Sequence, residues 1–476
     1  MGRNLESPRT RLITDDLAEI SYTVNRANTY TIALVTPMFG GGHETGQVDA
    51  NRLIRESTIR GQLRFWWRAT RGARFKNTYE LRQREAEIFG DTVTPSSVRV
   101  TVNQRIETKI ESYTVGSKNK PFPDYIFQET DQDRKTGKKI NYASGCQFDL
   151  EVQWSQQAIE LKTNDPIRFQ ELVKDINAAL WGWINFGGIG SRTRRGCGSL
   201  YCMEFSPNEK ECTKSNFPKW LDSRIKDYEL VLPTASEHRE WPTLNPRMLI
   251  DFIQQGNNST WRNVIRVYKD FRRRAKQNEV FDERKQQMVK RPGRSYWPEA
   301  DSIRKTLDMA HIKHDKPTHY YLSGTKEEVT AFPRAELGMP IIFQFKSIRE
   351  STEKYKGRIQ TKKIPVEPYK TQLTPKDKDR LASPIILKPL AFNCTRSVGL
   401  IAVLNHPPVE QLDLTVLEKE KDKGYSVNKS SKPLHYKNSP MIDDYDDQKV
   451  YSSAVDAFVH SREVKRFWKI TSSIRH

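Results

Sequence analysis

The order of strand-like and helix-like patterns in the first 210 residues constrains the fold of this 476-residue chain more than any other feature. Alternating or β-branched runs predict strands, and apolar residues three and four positions apart predict helices. Strands are expected at 30–36, 98–102, 146–154 and 199–205, and helices at 57–71, 79–89 and 164–184. This β-α-β-β-α-β order is that of the ferredoxin-like, RRM-like split βαβ arrangement. Because many unrelated proteins share the topology, it predicts a fold and no function.

The second half is interpreted as a more decorated α+β domain. It contains a largely helical stretch at 247–274 and a charged loop or helix at 280–294. Strand-like runs follow at 319–322, 340–345, 384–387 and 399–404. No tandem repeat is evident in the sequence.

Long polar segments interrupt both halves. Residues 103–143, rich in Lys, Asp and Gln, are interpreted as a mobile insertion, and residues 347–380 as an exposed excursion. Residues 418–439 read as a polar linker before a helix near 449–468. We therefore divide the chain into domains 1–210 and 211–405 and a linker with a C-terminal helical extension, 406–476.

The charge balance favours a polyanionic partner. The 79 Lys and Arg against 59 Asp and Glu give a net charge of +20 and a pI near 9.6. No apolar run approaches the roughly 18 residues of a membrane helix, which excludes an integral membrane protein. The N-terminus lacks the apolar core of a signal peptide, and five cysteines, a sparse odd count, indicate a cytoplasmic protein with reduced thiols.

The helix expected at 57–71 carries a basic stripe. Arg60, Arg64, Arg68 and Arg71 fall within roughly an 80° arc, beside an apolar arc that can face a sheet. Arginines in a row repel one another unless anions lie along them, and guanidinium groups bind phosphates bidentately. RNA or DNA contact is one interpretation; a solvated basic face paired with acids elsewhere is the other.

A glycine-rich loop follows the long helix, with the sequence FGGIGSRTRRGCGSL at residues 186–200. Its glycines allow the backbone to approach a phosphate, and three arginines lie between them. The loop follows a helix and enters a strand, which is the reverse of a nucleotide-binding P-loop. The alternative is a flexible turn with incidental charge.

A third basic stretch covers residues 262–294, with twelve basic and four acidic residues. It ends in KRPGRSYWP, where Arg294 and Trp297 combine charge with a ring that can stack on bases. A charged helix face with core aromatics explains the same pattern.

Signals for catalysis or metal binding are weak. His43, Glu44 and Asp49 in the loop MFGGGHETGQVD are the only acid/base candidates for RNA cleavage. The histidines at 311, 314 and 319 and the cysteines at 197, 202 and 212 lack a familiar ligand spacing, so no metal or cofactor is expected.

Several of these segments together resemble one family. TPMFGGG, IRESTIRGQLRFWWRATRG, EAEIFGD and FGGIGSRTRRGCGSL are similar to the RAMP proteins of CRISPR systems. RGQLRFWWRA, GRSYWPEADSIRK and FPRAELGMPIIFQF resemble the first subunit of the type III-B Cmr effector complex. The resemblance spans residues 30–345, and the chain departs from a compact member in its Lys-rich insertion and its long C-terminus.

The resemblance implies two ferredoxin-like domains and a subunit without a reaction of its own. Such subunits hold the 3′ region of the CRISPR RNA and help engage target RNA in antiviral defence, beside other Cmr subunits. The residues expected at the RNA are Arg55, Arg60, Arg64, Arg68, Arg71, Gly188, Gly190, Ser191, Arg192, Arg194, Arg195, Gly196, Gly198, Arg294 and Trp297. The alternatives are an endoribonuclease that processes precursor CRISPR RNA and a generic single-stranded nucleic-acid binder.

Overall fold

The computed structural model contains, among its described residues, three four-stranded antiparallel sheets together with helices and smaller sheets. It describes residues 27–42, 47–49, 52–104, 108–127, 129, 131–233, 239–282, 286–307, 321–322, 330–344, 347–355, 358–366, 370–417, 423–428, 434–435, 439–443, 446–465 and 469–471. We call residues 27–233 the first unit and residues 239–471 the second unit. Among the described residues, no helix combines the length and apolar character needed to cross a membrane.

The first unit contains seven of the described strands and six α-helices. The strands are β1 (Ala27–Leu34), β2 (Met38–Phe39), β3 (Val98–Gln104), β4 (Lys109–Thr114), β5 (Lys139–Ser144), β6 (Gln147–Trp154) and β7 (Leu200–Tyr201). The helices are α1 (Glu56–Ala69), α2 (Thr78–Phe89), α3 (Asp131–Lys135), α4 (Gln156–Asn164), α5 (Pro166–Phe186) and α6 (Phe217–Asp227). Single 3-10 turns lie at Arg71–Arg74 and Thr193–Arg195.

The first sheet has the strand order β3-β6-β1-β7, and each neighbouring pair is antiparallel. The four strands expected from the sequence therefore lie in one sheet, connected as in the split βαβ motif. Along β6, Phe148, Leu150 and Val152 are buried while the intervening residues are half-exposed. This alternation places one face of the sheet in the core that α1 and α5 share.

The long helix α5 begins and ends where its sequence signals lie. The Asp165 side chain accepts a hydrogen bond from the Arg168 amide at 3.1 Å, and Pro166 occupies the first turn. The helix ends at Phe186, immediately before the glycine-rich loop.

The insertion at 103–143 is folded, in contrast to the mobile segment expected. Strands β4 and β5 pair with each other and with β2 in a three-stranded sheet. Phe39 of β2 packs edge-to-face on Phe122 at 5.1 Å, and Tyr113 also contacts Phe122. The polar composition hid these few aromatic residues, which pack in the same hydrophobic cluster as Trp261 of the second unit.

The second unit contains the remaining described strands and helices. The strands are β8 (Thr243–Gly256), β9 (Ala275–Asp282), β10 (Gln287–Ser295), β11 (Tyr321–Leu322), β12 (Ile341–Gln344), β13 (Ser347–Tyr355), β14 (Arg358–Val366), β15 (Lys370–Pro375), β16 (Ile385–Ala391), β17 (Arg396–Asn405), β18 (Gln411–Leu417), β19 (Lys423–Asn428), β20 (Leu434–His435), β21 (Ile442–Asp443), β22 (Asp446–Val450) and β23 (Lys469–Thr471). The helices are α7 (Asn257–Arg272), α8 (Glu299–Thr306), α9 (Ala454–Val459) and α10 (Arg462–Lys465), and a 3-10 turn lies at Pro333–Leu337.

The second sheet repeats the order of the first. Its strands run β16-β17-β8-β23, all neighbouring pairs are antiparallel, α7 follows β8, and α9 and α10 precede β23. The largely helical stretch expected at 247–274 is therefore half wrong, since its first part is strand β8. Met248, Leu249 and Ile250 form a continuous apolar run, whose periodicity does not separate a buried strand from a helix.

The C-terminal segment belongs to the second unit and is not a separate helical extension. Phe458 of α9 packs on Tyr268 and Phe271 of α7, both at 5.2 Å between ring centroids. Strand β23 forms an edge of the second sheet by pairing with β8. The boundary expected at residue 405 is therefore wrong, because the last helices and strand of this unit come after a long excursion of the chain.

Two further segments differ from the sequence-based expectation. The charged loop or helix at 280–294 is the hairpin of β9 and β10. Part of the linker and part of the excursion form a third sheet, in the order β12-β15-β18-β19, over a small core that includes Leu373, Leu412 and Leu414. Regular alternation in β15 and β18 produces this core from polar-rich sequence.

The two units share one hydrophobic core. Met248 and Ile250 of the second sheet lie in the same cluster as Trp181 of α5, while Leu249 and Ile401 face the cluster around α7. The second sheet is therefore buried on both faces, which explains the unbroken burial of β16 and most of β17. This arrangement places the glycine-rich loop between the two units.

Candidate nucleic-acid interface

The glycine-rich loop is a packed connection between the units. The Gly198 amide donates to the Pro37 carbonyl at 2.9 Å, and the Gly196 carbonyl accepts from the Thr36 hydroxyl at 2.7 Å. A Cβ on Gly198 would lie 1.9 Å from the Ile189 carbonyl oxygen. The nearest neighbours of the glycines at 188, 190, 196 and 198 are therefore protein atoms, and this packing accounts for them without the close approach to a phosphate that the sequence suggested.

The exposed side of this loop presents its arginines. Arg192 adopts a left-handed backbone conformation, with φ +57°, and its guanidinium lies 5.0 Å from the Phe127 ring centroid. Arg194 lies 5.7 Å from the Phe65 ring and donates to the Ser383 carbonyl. Burial lowers the pKa of Arg194 to about 10, which leaves it cationic at neutral pH.

Helix α7 brings a second set of arginines to the same place. Arg195 of the loop lies 4.2 Å from the Tyr268 ring centroid, and Arg272 donates to the Tyr268 hydroxyl at 3.3 Å. Arg273 lies 5.0 Å from the Tyr125 ring. The structure thus joins two basic segments that are far apart in the sequence, and we call Arg192, Arg195, Arg272 and Arg273 the arginine cluster.

The arginine cluster carries charge that the described part of the protein does not neutralise. None of its members forms an ion pair with a carboxylate among the described residues, and Arg195 Nη1 and Arg272 Nε are buried without a hydrogen-bond partner there. Burial opposes ionisation of Tyr268, but Arg195 and Arg272 outweigh it and lower the pKa of its phenol. A phenol affected in this way reports a strongly positive local potential, which attracts phosphate.

The stripe on α1 is partly neutralised. Arg64 and Arg68 both pair with Glu85 of α2, at 2.6 and 2.8 Å, and each keeps about a third of its side chain exposed. Arg60 donates to the Phe89 carbonyl. We call Arg60, Arg64 and Arg68 the α1 stripe; it adjoins the loop through Phe65, which follows Arg64 on α1 and contacts Arg194.

Arg71 is placed differently from the other stripe residues. Its side chain is fully buried, its Nε donates to Asp175 at 2.7 Å, and its Nη1 donates to the Tyr228 carbonyl at 2.7 Å. It also pairs with Glu171. A guanidinium enclosed by carboxylates offers no surface to RNA, so the expectation for Arg71 is wrong and its role is structural.

Trp297 is likewise a core residue. Its ring is fully buried, packs edge-to-face on Phe271 at 5.3 Å and lies under the guanidinium of Arg334 at 5.6 Å. The alternative of a core aromatic is therefore the correct one for this tryptophan, because no face of the indole is open to a base. Arg294 lies in β10, and its side chain is outside the described residues.

The loop after β1 gives no support for acid/base chemistry. Asp49 accepts from Arg55 at 2.6 Å, so its carboxylate is held in an ion pair at the start of α1. His43 and Glu44 lie outside the described residues, as do the histidines at 311, 314 and 319. Arg55 pairs with Asp49 and keeps about a third of its side chain exposed, as Arg64 and Arg68 do.

The three cysteines at 197, 202 and 212 are buried. Burial raises the pKa of the Cys197, Cys202 and Cys212 thiols above their ordinary value, and the last reaches about 12. Within the described ranges, no group of three His, Cys, Asp or Glu side chains could hold a metal ion. Cys197 lies at the centre of the loop and packs in the core around α7.

Sequence reasoning missed the aromatic residues that support the arginines. Tyr125 and Phe127 lie in the insertion and gave no signal there, because their partners come from other segments. Tyr268 stands four residues before Arg272 on α7, so helical spacing does place these two side chains on one face.

Known proteins share these segments. Residues 31–201, which include the α1 stripe and the loop, match the RAMP superfamily. Over 180 residues the chain is 29% identical to the CRISPR system Cmr subunit Cmr1-2 of Pyrococcus furiosus, covering 36% of this chain and 92% of that protein. It is 27% identical over 162 residues to Cmr1-1 of the same organism, covering 32% of this chain and 41% of that protein.

Solved structures also align with this chain, at low sequence identity. The apo crystal structure of Cmr1 from Pyrococcus furiosus aligns with a TM-score of 0.44 and 14% identity, over 85% of this chain and 94% of that chain. A chain of the type III-B Cmr-beta complex bound to cognate target RNA aligns with a TM-score of 0.36 and 12% identity, over 80% and 96%. Residues 31–201 thus match the RAMP superfamily, and the chain is similar to the Cmr1 subunits of CRISPR systems.

Proposed function

We propose that this chain is an RNA-binding structural subunit of a type III-B CRISPR (Cmr) interference complex. In this role it holds the 3′ region of the CRISPR RNA and helps engage target RNA in antiviral defence. The similarity to Cmr1 subunits supports the assignment to such a complex. The proposal treats both units as ferredoxin-like domains, and the identical strand order of the two sheets supports this.

The arginine cluster is the observation that carries the proposal. Its four guanidinium groups lie on two elements that the fold brings together. None of them forms an ion pair with a described carboxylate, although Glu299 lies near enough to Arg272 to favour its charge. Arg195 and Arg272 are half-buried, and a cation that is withdrawn from water without an ion-pair partner is costly. Successive RNA phosphates neutralise such a group. Aromatic rings under Arg192, Arg195 and Arg273 hold the guanidinium planes in place before RNA arrives.

The path of the strand follows from the neighbouring charges. Arg194 and Phe65 link the arginine cluster to the α1 stripe, so a backbone can pass from one to the other along the loop. Arginine contacts to phosphates fix the register of the strand and leave base edges free to pair with a target. Binding is therefore expected to depend little on base identity at these contacts.

A matched pair of double variants tests this proposal. Arg192→Asn with Arg273→Gln removes two charges, and Asn is chosen because it tolerates the left-handed backbone at position 192. Each lost phosphate contact is expected to reduce affinity for single-stranded RNA about fourfold in 0.15 M salt and to reduce the salt slope by about 0.7. Lys219→Gln with Lys226→Gln, both exposed on α6, removes the same charge elsewhere.

The outcomes of RNA titration by fluorescence anisotropy separate the possibilities. Equal losses in both double variants would mean that net charge alone matters, and the cluster assignment would fail. Reproducible cleavage of repeat RNA at one site would favour the endoribonuclease instead. A tagged copy purified from its host should bring with it short RNAs that share one constant 5′ segment, together with other basic subunits. That result would support membership of the proposed complex.

A further inference from the structure

A cleft of about 480 Å³ opens where the loop meets the second unit. Arg194 forms one wall, and the chain segments 375–384 and 404–411 form most of the others. The volume falls within the range of about 300–1,000 Å³ that is typical of small-ligand sites. It is large enough for one nucleotide and too small for a folded partner.

The charges of the cleft favour a ligand with one anionic group. Four cationic side chains line it, from Arg194, Lys376, Lys378 and Arg380, against the carboxylates of Glu240 and Glu410. Arg194 and Arg380 form no ion pair among the described residues, and Arg194 is held in place by Phe65 and by the Ser383 carbonyl. A guanidinium fixed in this way is preorganised to bind a phosphate.

Beside the polar residues His406 and Gln411, apolar side chains form much of the remaining lining. They come from Pro242, Leu381, Pro384, Leu404, Pro407 and Val409. Proline rings and aliphatic side chains offer apolar contact surfaces, and the two faces of a nucleobase are the apolar part of a nucleotide. An apolar slot beside fixed cations therefore matches a base with its own phosphate better than it matches an acidic peptide.

The cleft is continuous with the arginine cluster. Arg194 lines the cleft and is two residues from Arg192 in the loop. Burial lowers the pKa of Arg192, and the neighbouring charges of Arg195 and Arg380 lower it further, which places Arg380 beside the cluster. A strand bound along the cluster thus passes the mouth of the cleft.

We infer that this cleft binds one nucleotide unit, its base against the apolar walls and its phosphate on Arg194 and Arg380. As part of an RNA strand this unit is a base turned out of the stack, which rests on the proposed function above. A free nucleoside monophosphate has the same chemistry. The experiment below distinguishes a nucleotide within an RNA strand from a free one.

The test uses the full chain with a single-stranded RNA that carries 2-aminopurine at one position, scanned along the strand. We expect emission to rise at least twofold at one position on binding, because the fluorescent base leaves its stacked neighbours. Ala382→Trp fills the cleft from its rim and is expected to abolish this rise, with an affinity loss of no more than about tenfold. Lys219→Trp on α6 is the matched control and keeps the signal.

Calorimetric titration with adenosine 5′-monophosphate forms the second arm. If the original chain binds the monophosphate and both Ala382→Trp and Arg194→Gln abolish this binding, the cleft is supported as a nucleotide site. This holds even if 2-aminopurine in RNA shows no change in emission. RNA binding without a 2-aminopurine response, combined with no binding of the monophosphate, overturns the cleft and leaves the proposed function intact. If the original chain and its variants all fail to bind RNA while the original chain still binds the monophosphate, the cleft stands as a nucleotide site and the proposed function is overturned.

Discussion

At the scale of single residues, the same amino acid serves different purposes in this protein. Arg71 is enclosed by carboxylates in the core, Arg64 shares one carboxylate with Arg68, and Arg192 has no carboxylate partner among the described residues. The sequence places all of them in basic segments and does not rank them. Their roles differ because burial and neighbouring acids, rather than residue type, decide whether a guanidinium is available to a phosphate.

Two glycine substitutions with opposite expected effects test the packing of the loop. Gly198→Ala should strongly destabilise the protein, because φ is +61° and the new Cβ would meet the Ile189 carbonyl. Gly61→Ala lies in an exposed helix interior with nothing within 4 Å, and should stabilise by about 0.5–1 kcal/mol. Thermal unfolding measures both, and equal shifts would contradict the role assigned to Gly198.

Buried Lys388 predicts a pH dependence. Its Nζ donates to the Ile184 and Gly187 carbonyls, both at 2.9 Å, and burial lowers its pKa to about 7. Between pH 7 and the unfolded pKa of about 10.5, the folded chain holds fewer protons, so stability rises with pH. Below pH 7 the cost of burying the charge is fully present.

Lys388→Met should remove this contribution. The free energy of unfolding, measured with urea, should rise with pH in the original chain and not in the variant. The variant is therefore expected to lose on the order of 3 kcal/mol relative to the original chain between pH 7 and pH 10. Lys226→Met on the surface of α6 is the control. If the difference in the free energy of unfolding between the two chains stays constant from pH 7 to pH 10, the two carbonyls keep Lys388 charged in the folded state.

At the scale of elements, α1 and α2 set how much of the α1 stripe is available. Glu85 is almost fully buried and neutralises one of two arginines. Reversing both charges, as in Arg64→Glu with Arg68→Glu, would place three carboxylates together and destabilise the fold. An informative substitution between α1 and α2 must therefore replace Glu85 and leave Arg64 and Arg68 unchanged.

Glu85→Gln releases the two arginines while keeping a hydrogen-bond acceptor. We expect affinity for single-stranded RNA to rise about fourfold in 0.15 M salt, as one more phosphate is neutralised. Glu80→Gln on the exposed start of α2 makes the same charge change away from the stripe. If both variants bind RNA equally, the α1 stripe lies off the path of the strand.

At the scale of the whole molecule, the two units are not independent domains. Residues of the second sheet lie in the core of the first unit, and the C-terminal helices complete the core around α7. The loop and its arginines are thereby held between two rigid bodies. Rigid support of this kind orients charged side chains before the ligand binds.

Phe458→Ala tests whether the C-terminal segment is part of this core. Removing a ring that contacts Tyr268 and Phe271 should cost about 3–5 kcal/mol and speed hydrogen exchange in β8 and β16. Val93→Ala, at a site that is 88% exposed, is the control. Exchange that stays unchanged in β8 would indicate an independent extension.

Local patterns in the sequence predicted the first unit well. The alternation in β6, the capping signals of α5 and the apolar arc of α1 each act within one element, so they are visible without the fold. The second unit was harder because more than two hundred residues, which include long insertions, separate the first and last strands of its sheet. Long-range pairing leaves no short-range trace in such a chain.

The sequence by itself determined the basic character, the order of elements in the first unit and the three basic segments from which the interface is drawn. Only the tertiary structure decided that Arg71 and Trp297 belong to the core, that the glycines serve packing, and that Arg195 and Arg272 meet at Tyr268. The physical reason is that charge and periodicity are properties of a segment. Burial, counter-ions and close contacts depend on which distant segments the fold brings together.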